Sequence, residues 1–440
     1  MKQLLPTVAV LISLLPCIFA NTVPISPNGN EDYLDDCGTN NLTLQFPNLN
    51  VIDERFISFP MLRCLTIKNS GIEKVSDGTF DELPNLWYLN LQGNRISSDD
   101  LFSFGNLSSV RKLILSDEHP RYSYGPRKTI VRGIYPQLRY LDLKNSYISN
   151  IENAWENPFP ELTYLDLSRN ELESFTFLRS QAEKLTYLYL NDNKISRFTL
   201  GPSALMSLVL DNQNIRIIGE DGVDLGGLTY LKNLSLANNQ IDSIRKSAFR
   251  DTLSLRHLDI SMNLLTTIYP ETLKDLPSLQ VFILDQNLLE EVPIAVPLDI
   301  TNLSMNCNRI KYLTINSLYN LPQLKTLSLT GNRITDVHTD AFQNQEMLEE
   351  LYLNNNKLSH LPDEWCHTMT NLRYLDLSNN KFTMLESMIH CSVPSLRQIH
   401  APLNPLKFIK ASTVREGFHL GINFSKQYDA LSGQIRENRH

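Results

Sequence analysis

Seven tyrosines (Tyr88, Tyr140, Tyr164, Tyr187, Tyr189, Tyr352 and Tyr374) and six aspartates (Asp142, Asp166, Asp211, Asp259, Asp285 and Asp376) share short segments of alternating polarity, such as Tyr164-Leu-Asp166 and Tyr187-Leu-Tyr189. Period-two alternation puts their side chains on one face of a strand. Carboxylates in that setting could serve as general acids and bases, but such work needs a partner group with a matched pKa. Adjacent strands would repeat the carboxylates every ~4.8 Å, and no histidine is placed to pair with them. His257 and His400 share the face and read as solvated. Tyrosine gives contact area at low entropic cost with a polar tip. The chemistry this pattern supports is therefore contact with a partner, for which Tyr140, Tyr164, Tyr187, Tyr189, Asp142 and Asp166 are the candidates. The plainer reading is that tyrosine and aspartate are ordinary at such positions.

A second candidate is the segment 118–135, where Arg121, Tyr122, Tyr124, Arg127, Lys128, Arg132 and Tyr135 interleave cations with aromatic rings. That is the composition of an interaction hot spot; an inert long loop is the alternative. Cys366-His367 and His390-Cys391 offer a zinc ligand set, but the spacing follows the repeat described below and lacks a C-x-x-C knuckle. A disulfide between Cys366 and Cys391 is the expectation, with no bound metal. Cys37 and Cys64 bracket the N-terminal segment and are expected to form another. Cys307 is then left over, either bridged to another molecule or unpaired. No phosphate loop, nucleophile elbow or H-E-x-x-H helix occurs, so neither catalysis nor a cofactor is expected.

The elements that position these residues follow from one repeating frame. Asparagines recur at 94, 170, 193, 239, 263, 287, 308, 332, 356, 380 and 404, most of them 24 residues from the next. Each follows the same apolar spacing, as in Leu372-x-x-Leu375-x-Leu377-x-x-Asn380. Ser70, Glu118, Ser146 and Gln213 hold the same phase, making fifteen candidate repeats. Where a chain turns off a strand, backbone donors and acceptors lose their ladder partners, and an Asn amide can satisfy both kinds. No single repeat buries its apolar face, so the repeats must stack. The fold class is an α/β solenoid: a leucine-rich-repeat horseshoe with a parallel concave β-sheet and an irregular, 3₁₀ or short-helical convex side. The phenylalanines of Asp77-Gly-Thr-Phe80, Lys246-Ser-Ala-Phe249 and Thr339-Asp-Ala-Phe342 are read as a buried spine. The frame slips at Glu118 and Gln213, where an unusual surface is expected. The step from Glu118 to Ser146 is 28 residues long; those from Asn193 to Gln213 and from Asn287 to Asn308 are 20 and 21, with Pro202, Pro293 and Pro297 implying an extended return.

Residues 1–20 read as a secretory signal, with Lys2, the apolar run from Leu4 to Phe19 and a cleavage point after Ala20. The expected organisation is an N-terminal cap over 21–60, repeats over 61–406, and a C-terminal cap with a polar tail over 407–440. Without the leader, 39 basic residues face 48 acidic ones, which argues against nucleic acid as a partner. No later segment is apolar enough to span a membrane. A secreted, extracellular protein should be glycosylated at sequons, here Asn41, Asn106, Asn233, Asn302 and Asn423. Asn233 and Asn302 fall on face positions, where a glycan would bar partners from the middle of the concave surface.

The 24-residue form with a convex phenylalanine resembles the extracellular animal type of leucine-rich repeat found in Toll-like receptor ectodomains and matrix proteins. The four-cysteine cap of small leucine-rich proteoglycans is not matched, since Cys37 stands alone. What remains is similar to the secreted leucine-rich immune proteins of mosquitoes and other insects, as a member without the coiled coil. That resemblance implies an innate-immune recognition or adaptor role, with a protein partner or microbial-surface ligand and a homo- or heterodimer. The competing class is a matrix or cell-surface protein of adhesion or development.

Overall fold

The computed structural model describes residues 37–407, except 48, 55, 121–127, 176–181, 385 and 389–392, together with the backbone of 421–423. Two compact units divide the chain, one of Pro24–Gln240 with Ser247–Leu255 and the other of Ile241–Lys246 with Arg256–His440.

In the first unit, short strands stack in chain order, each pairing in parallel with the next: Asn41–Leu44, Cys64–Ile67, Tyr88–Asn90, Lys112–Ile114, Tyr140–Asp142, Tyr164–Asp166, Tyr187–Tyr189, Ser207–Val209 and Asn233–Ser235. The second unit repeats the plan from His257–Asp259 through Val281–Ile283, Asn302–Ser304, Thr326–Ser328, Glu350–Tyr352, Tyr374–Asp376 and Gln398–His400 to Gly421–Asn423. Each three-residue strand sends its central side chain inward. Leu89, Leu113, Leu141, Leu165 and Leu188 are all fully buried, while the residues on either side face outward as two parallel rows. Leu162, Leu167, Leu185 and Leu190 fill the same core from the flanks. Local strand propensity is weak in so short a segment; burial of the stacked leucines holds the register.

The asparagine phase forms a buried hydrogen-bond ladder. The Asn170 amide donates to Leu143 O and Leu167 O, both at 2.9 Å, and its Oδ1 accepts the Ser146 and Ile148 N–H groups at 3.0 Å. One side chain thus satisfies backbone groups of its own coil and of its neighbour. In the second unit Asn380 donates to Leu353 O and Leu377 O and accepts from Leu358 N–H at 3.0 Å. The residue just before the phase position turns through left-handed backbone, as at Asn69 (φ 49°), Asn145 (φ 53°) and Asn379 (φ 50°). Gly93 fills this place where a side chain would not fit: an added Cβ would lie 2.1 Å from Asn69 Oδ1.

The four exceptions belong to the ladder. Glu118 is completely buried and its carboxylate accepts the N–H groups of Ile96 (2.9 Å) and Asn94 (3.4 Å). Gln213 accepts from Ile195 N–H at 2.8 Å and donates to Leu190 O. Ser70 Oγ accepts from Phe46 N–H, and Ser146 Oγ donates to Leu115 O. The unusual surface expected at Glu118 and Gln213 is therefore corrected: both side chains are interior, replacing the asparagine amide with a longer acceptor.

On the return side, Phe80, Phe249 and Phe342 are buried as expected. Around the longest repeat the rings of Phe102, Phe104, Tyr135 and Phe159 pack at centroid distances of 5.3–6.4 Å. Most return segments are hydrogen-bonded turns. The helical ones among the described residues are the 3₁₀ turn Ser98–Asp100 and the short helix Pro270–Leu273. After Asn193 the return is extended, with Phe198–Thr199 pairing with Val223–Asp224. Cys37 and Cys64 form a disulfide across 27 residues, with Cα atoms 5.8 Å apart. It ties the start of the first unit to the strand that Asn41–Leu44 covers, and closing a loop of that length is worth about 3–4 kcal/mol.

Candidate functional site: the tyrosine rows of the first unit

Strand register assembles the first unit's outward residues into two rows. The first runs Asn41, Cys64, Tyr88, Lys112, Tyr140, Tyr164, Tyr187, Ser207 and Asn233. Alongside it, the second includes Asn90, Ile114, Asp142, Asp166, Tyr189 and Val209. The four tyrosines expected to act together are brought together. Tyr140 and Tyr164 stack with centroids 4.1 Å apart and planes 7° from parallel. Tyr164 then meets Tyr189 at 5.4 Å and Tyr187 at 6.4 Å, tilted by 40° and 42°. All four are half-buried.

Lys112, which sequence reading passed over, completes the stack. Its Nζ lies 4.2 Å from the centre of the Tyr140 ring, a cation–π contact, although the side chain is only 7% exposed. Burial lowers the ammonium pKa, and the charge of Asp142 works in the opposite sense. The signal was available, because Lys112 occupies the frame position of Tyr140, six residues before the phase residue. Beyond it, Asn90 Nδ2 donates to Tyr88 Oη at 2.9 Å. At the other end the hydroxyls of Tyr189 and Ser207 are buried and face each other, and Ser207 is 1% exposed.

The aspartates have a job the sequence reading did not foresee. Asp166 Oδ1 accepts both the backbone N–H and the hydroxyl of Ser168, at 2.8 and 2.6 Å. Asp142 accepts from Lys144 N–H and the Ser116 hydroxyl. Asp376 holds Ser378 as Asp166 holds Ser168. Asp211 and Asp285 reach across to the next coil, taking the hydroxyls of Ser235 and Ser304 at 2.6 Å. These carboxylates fix the turn that leaves the strand, and the Asp-x-Ser spacing was the legible sign of it. Burial nevertheless perturbs them. The Asp142 carboxyl is pushed up to about 6, first by desolvation and then by the charge of Asp166. Asp166 is raised as well, again mainly by burial, and burial raises the phenols of Tyr140, Tyr164 and Tyr189 further above their ordinary range. Each of these carboxylates spends at least one oxygen on fixing a turn.

In the second unit Tyr352 and Tyr374 lie 5.2 Å apart, and Tyr352 Oη donates to Glu350 at 3.0 Å. His257 is half-buried, with burial lowering its pKa against the pull of Asp259. Of the loop candidates, Tyr135 is corrected to a core residue, fully buried against Phe102, Phe104 and Phe159 with its hydroxyl donated to Gly105 O, while Lys128 starts a strand paired with Asn150–Asn153 and forms an ion pair with Glu152. Arg121, Tyr122, Tyr124 and Arg127 lie outside the described residues. So does Cys391; Cys366 is buried and disulfide-bonded. Cys307 is also disulfide-bonded, at a left-handed turn position with φ 55°. The partners of both lie outside the described residues. Asn41, Asn106 and Asn302 are exposed and Asn233 half-buried, while the side chain of Asn423 is outside the described residues. Among the described residues no group of acidic, histidine or cysteine side chains could hold a metal ion, and no helix is long and apolar enough to cross a membrane.

The repeat frame agrees with comparison to known families. The leucine rich repeat family matches at residues 39–96, 60–119, 136–195, 229–289, 299–358 and 346–406. This chain belongs to the leucine-rich-repeat family. Among relatives, it is 29% identical to podocan of Mus musculus over 208 residues, 46% of this chain and 33% of podocan. To lumican of Bos taurus it is 34% identical over 108 residues, 24% of this chain and 29% of lumican. The matches thus span about a third of each relative's length. A leucine-rich-repeat protein of Leptospira interrogans has a similar solved fold, with a TM-score of 0.61 at 23% identity, covering 88% of this chain and 96% of that one. The parallel-sheet solenoid expected from the frame is the fold of the family.

Proposed function

We propose that this protein is a secreted, non-catalytic scaffold that binds a protein partner through the tyrosine rows of its first unit. The observation that carries the reading is the continuous stack from buried Lys112 through half-buried Tyr140 and Tyr164 to Tyr187 and Tyr189. Rings already ordered by their neighbours lose little side-chain entropy on binding, the condition under which tyrosine becomes a hot spot. Export is supported by the apolar run at the N-terminus, the Cys37–Cys64 disulfide and the exposed sequons. The commitment of the aspartates to turns supports a role without catalysis.

Within that class, the finer reading is an innate-immune recognition or adaptor protein in extracellular fluid, resting on the resemblance to the insect immune repeats. A matrix or cell-surface role in adhesion or development is the second reading, and the likeness to podocan and lumican keeps it in play. The test immobilises the chain and passes extracellular fluid of its source over it, beside a Tyr164→Ala chain of matched melting temperature. Retained protein should fall by about tenfold or more in the variant; equal retention would remove the tyrosine rows from the interface. A rise of transcript and protein after infection supports the immune role, whereas expression tied to one tissue and stage supports the other.

A further inference from the structure

Within the first unit, the first and the last described strands each carry a glycosylation sequon on the first outward row. Asn41-Leu-Thr43 and Asn233-Leu-Ser235 occupy the same strand register as Tyr164-Leu-Asp166, so asparagine stands on one row and the hydroxyl residue on the other. Between them lie Cys64, Tyr88, Lys112, Tyr140, Tyr164, Tyr187 and Ser207. Eight strand steps separate the two asparagines, about 38 Å along the sheet. Among the described residues neither amide has a hydrogen-bond partner, which leaves each Nδ2 available for modification. Ser235 is 4% exposed and its hydroxyl is given to Asp211. The enzyme needs that hydroxyl accessible, so modification of Asn233 must precede folding. In that step Nδ2 displaces the pyrophosphate of a lipid-linked oligosaccharide at its anomeric carbon and loses a proton.

We infer that N-glycans on Asn41 and Asn233 frame the tyrosine rows as a window, and that a protein partner enters it with an arginine side chain placed against Tyr164, Tyr189 and Asp166. This rests on the binding role proposed above and specifies its chemistry. One face of the aromatic stack is already covered by a cation, Lys112 over Tyr140. On the far side of Tyr164, the rings of Tyr187 and Tyr189 are tilted from its plane by 42° and 40°. Asp166 uses only Oδ1 in its turn, so Oδ2 has no hydrogen bond among the described residues. A planar guanidinium can stack on a phenol ring and fork to a carboxylate at once, which a lysine ammonium cannot. The rows alone, about 38 Å long and three residues (roughly 10 Å) wide, supply about half of a standard partner footprint. The partner's remaining contacts then fall on the lateral edges, since the glycans close the two ends.

Two measurements on the secreted full-length chain test this separately from the binding role itself. Glycopeptide mass spectrometry should find Asn41 and Asn233 occupied; unmodified asparagine at either overturns the frame and leaves the proposed binding role standing. Fluorescence anisotropy with a labelled hexa-arginine peptide at physiological salt tests the occupant, with hexalysine as the comparison. Arginine should bind more tightly than lysine. Asp166→Asn keeps the acceptor for Ser168 and should weaken binding by about tenfold. Tyr187→Asn with Tyr189→Thr creates a sequon inside the window and should abolish binding, while Asn233→Gln should leave it at least as tight. Melting curves exclude misfolding, and Tyr164→Phe, which preserves stacking, should bind as the natural chain does. No binding of hexa-arginine, equal binding of hexalysine, or indifference to Asp166→Asn or to the new glycan would overturn the arginine contact.

Discussion

Replacing Glu118 with glutamine should stabilise the first unit at neutral pH, and the gain should vanish in acid. The Glu118 side chain has no solvent exposure, and its oxygens accept from Ile96 at 2.9 Å and Asn94 at 3.4 Å. Burial drives its pKa well above the ordinary carboxylate value; the two backbone bonds oppose that shift, and the nearby Asp117 adds to it. A raised folded pKa means that the unfolded chain gives up its proton first. The stability of the protonated form is therefore complete below the unfolded pKa of about 4.5, and is lost as pH rises through the folded one. Glutamine is neutral like the protonated form at every pH; with one acceptor it keeps the short bond from Ile96 and gives up the longer one from Asn94, and Gln213 shows that an amide fits this register. A buried charge costs several kcal/mol, and two charge-assisted bonds return part of it, leaving a net gain of about 1–3 kcal/mol for the variant. Each kcal/mol moves the melting point by about 2–4 °C in a unit of this size. Melting curves at pH 7.5 and pH 4, with hydrogen exchange at the Asn94 and Ile96 amides, read the effect locally, as repeat proteins require. A variant less stable than the natural chain at pH 7.5, or shifted equally at both pH values, would refute the reasoning.

Three further predictions follow from the same bonds. Asn380→Ala strands the carbonyls of Leu353 and Leu377 and the Leu358 N–H; about 2–4 kcal/mol should be lost, measured by denaturant melts and local hydrogen exchange. Asp142 titrates near pH 6 because desolvation, then Asp166, raises it. Its negative charge is complete above pH 7 and lost as pH falls through 6, so hexa-arginine binding should weaken between pH 7.5 and pH 5; Asp142→Asn should reduce that change, and Asp166, also raised by burial, carries the remainder. Cys37→Ser opens the staple at the start of the first unit and should lower stability by about 2–4 kcal/mol in melts compared with the natural chain.

The fold was legible because a buried asparagine at each turn leaves a periodic mark that outward substitutions do not erase. Its exceptions misled for a physical reason: Glu118 and Gln213 differ from asparagine in length but not in offering a buried acceptor, so the ladder continues where the letter changes. The site was half legible. Frame position placed Tyr140, Tyr164, Tyr187 and Tyr189 on one face, and the rings do stack. That position could not show that Asp166 would spend one oxygen on Ser168, nor that Lys112 would fold over Tyr140, because both depend on side-chain choices made after the strands pair. The residues 121–127 interrupt the frame, and a pattern that depends on repetition has least to say there.

The central claim, that the tyrosine rows are the partner-binding surface, is tested most directly by placing a glycan on them. A chain carrying Tyr187→Asn with Tyr189→Thr, glycosylated at the new sequon and melting as the natural chain does, would be compared with that chain for retention of protein from extracellular fluid. Loss of the retained partner is the result expected, and the loss should persist after enzymatic deglycosylation because the variant also lacks two of the rings that form the surface. Undiminished retention with the new glycan in place would contradict the claim and move the interface elsewhere on the chain.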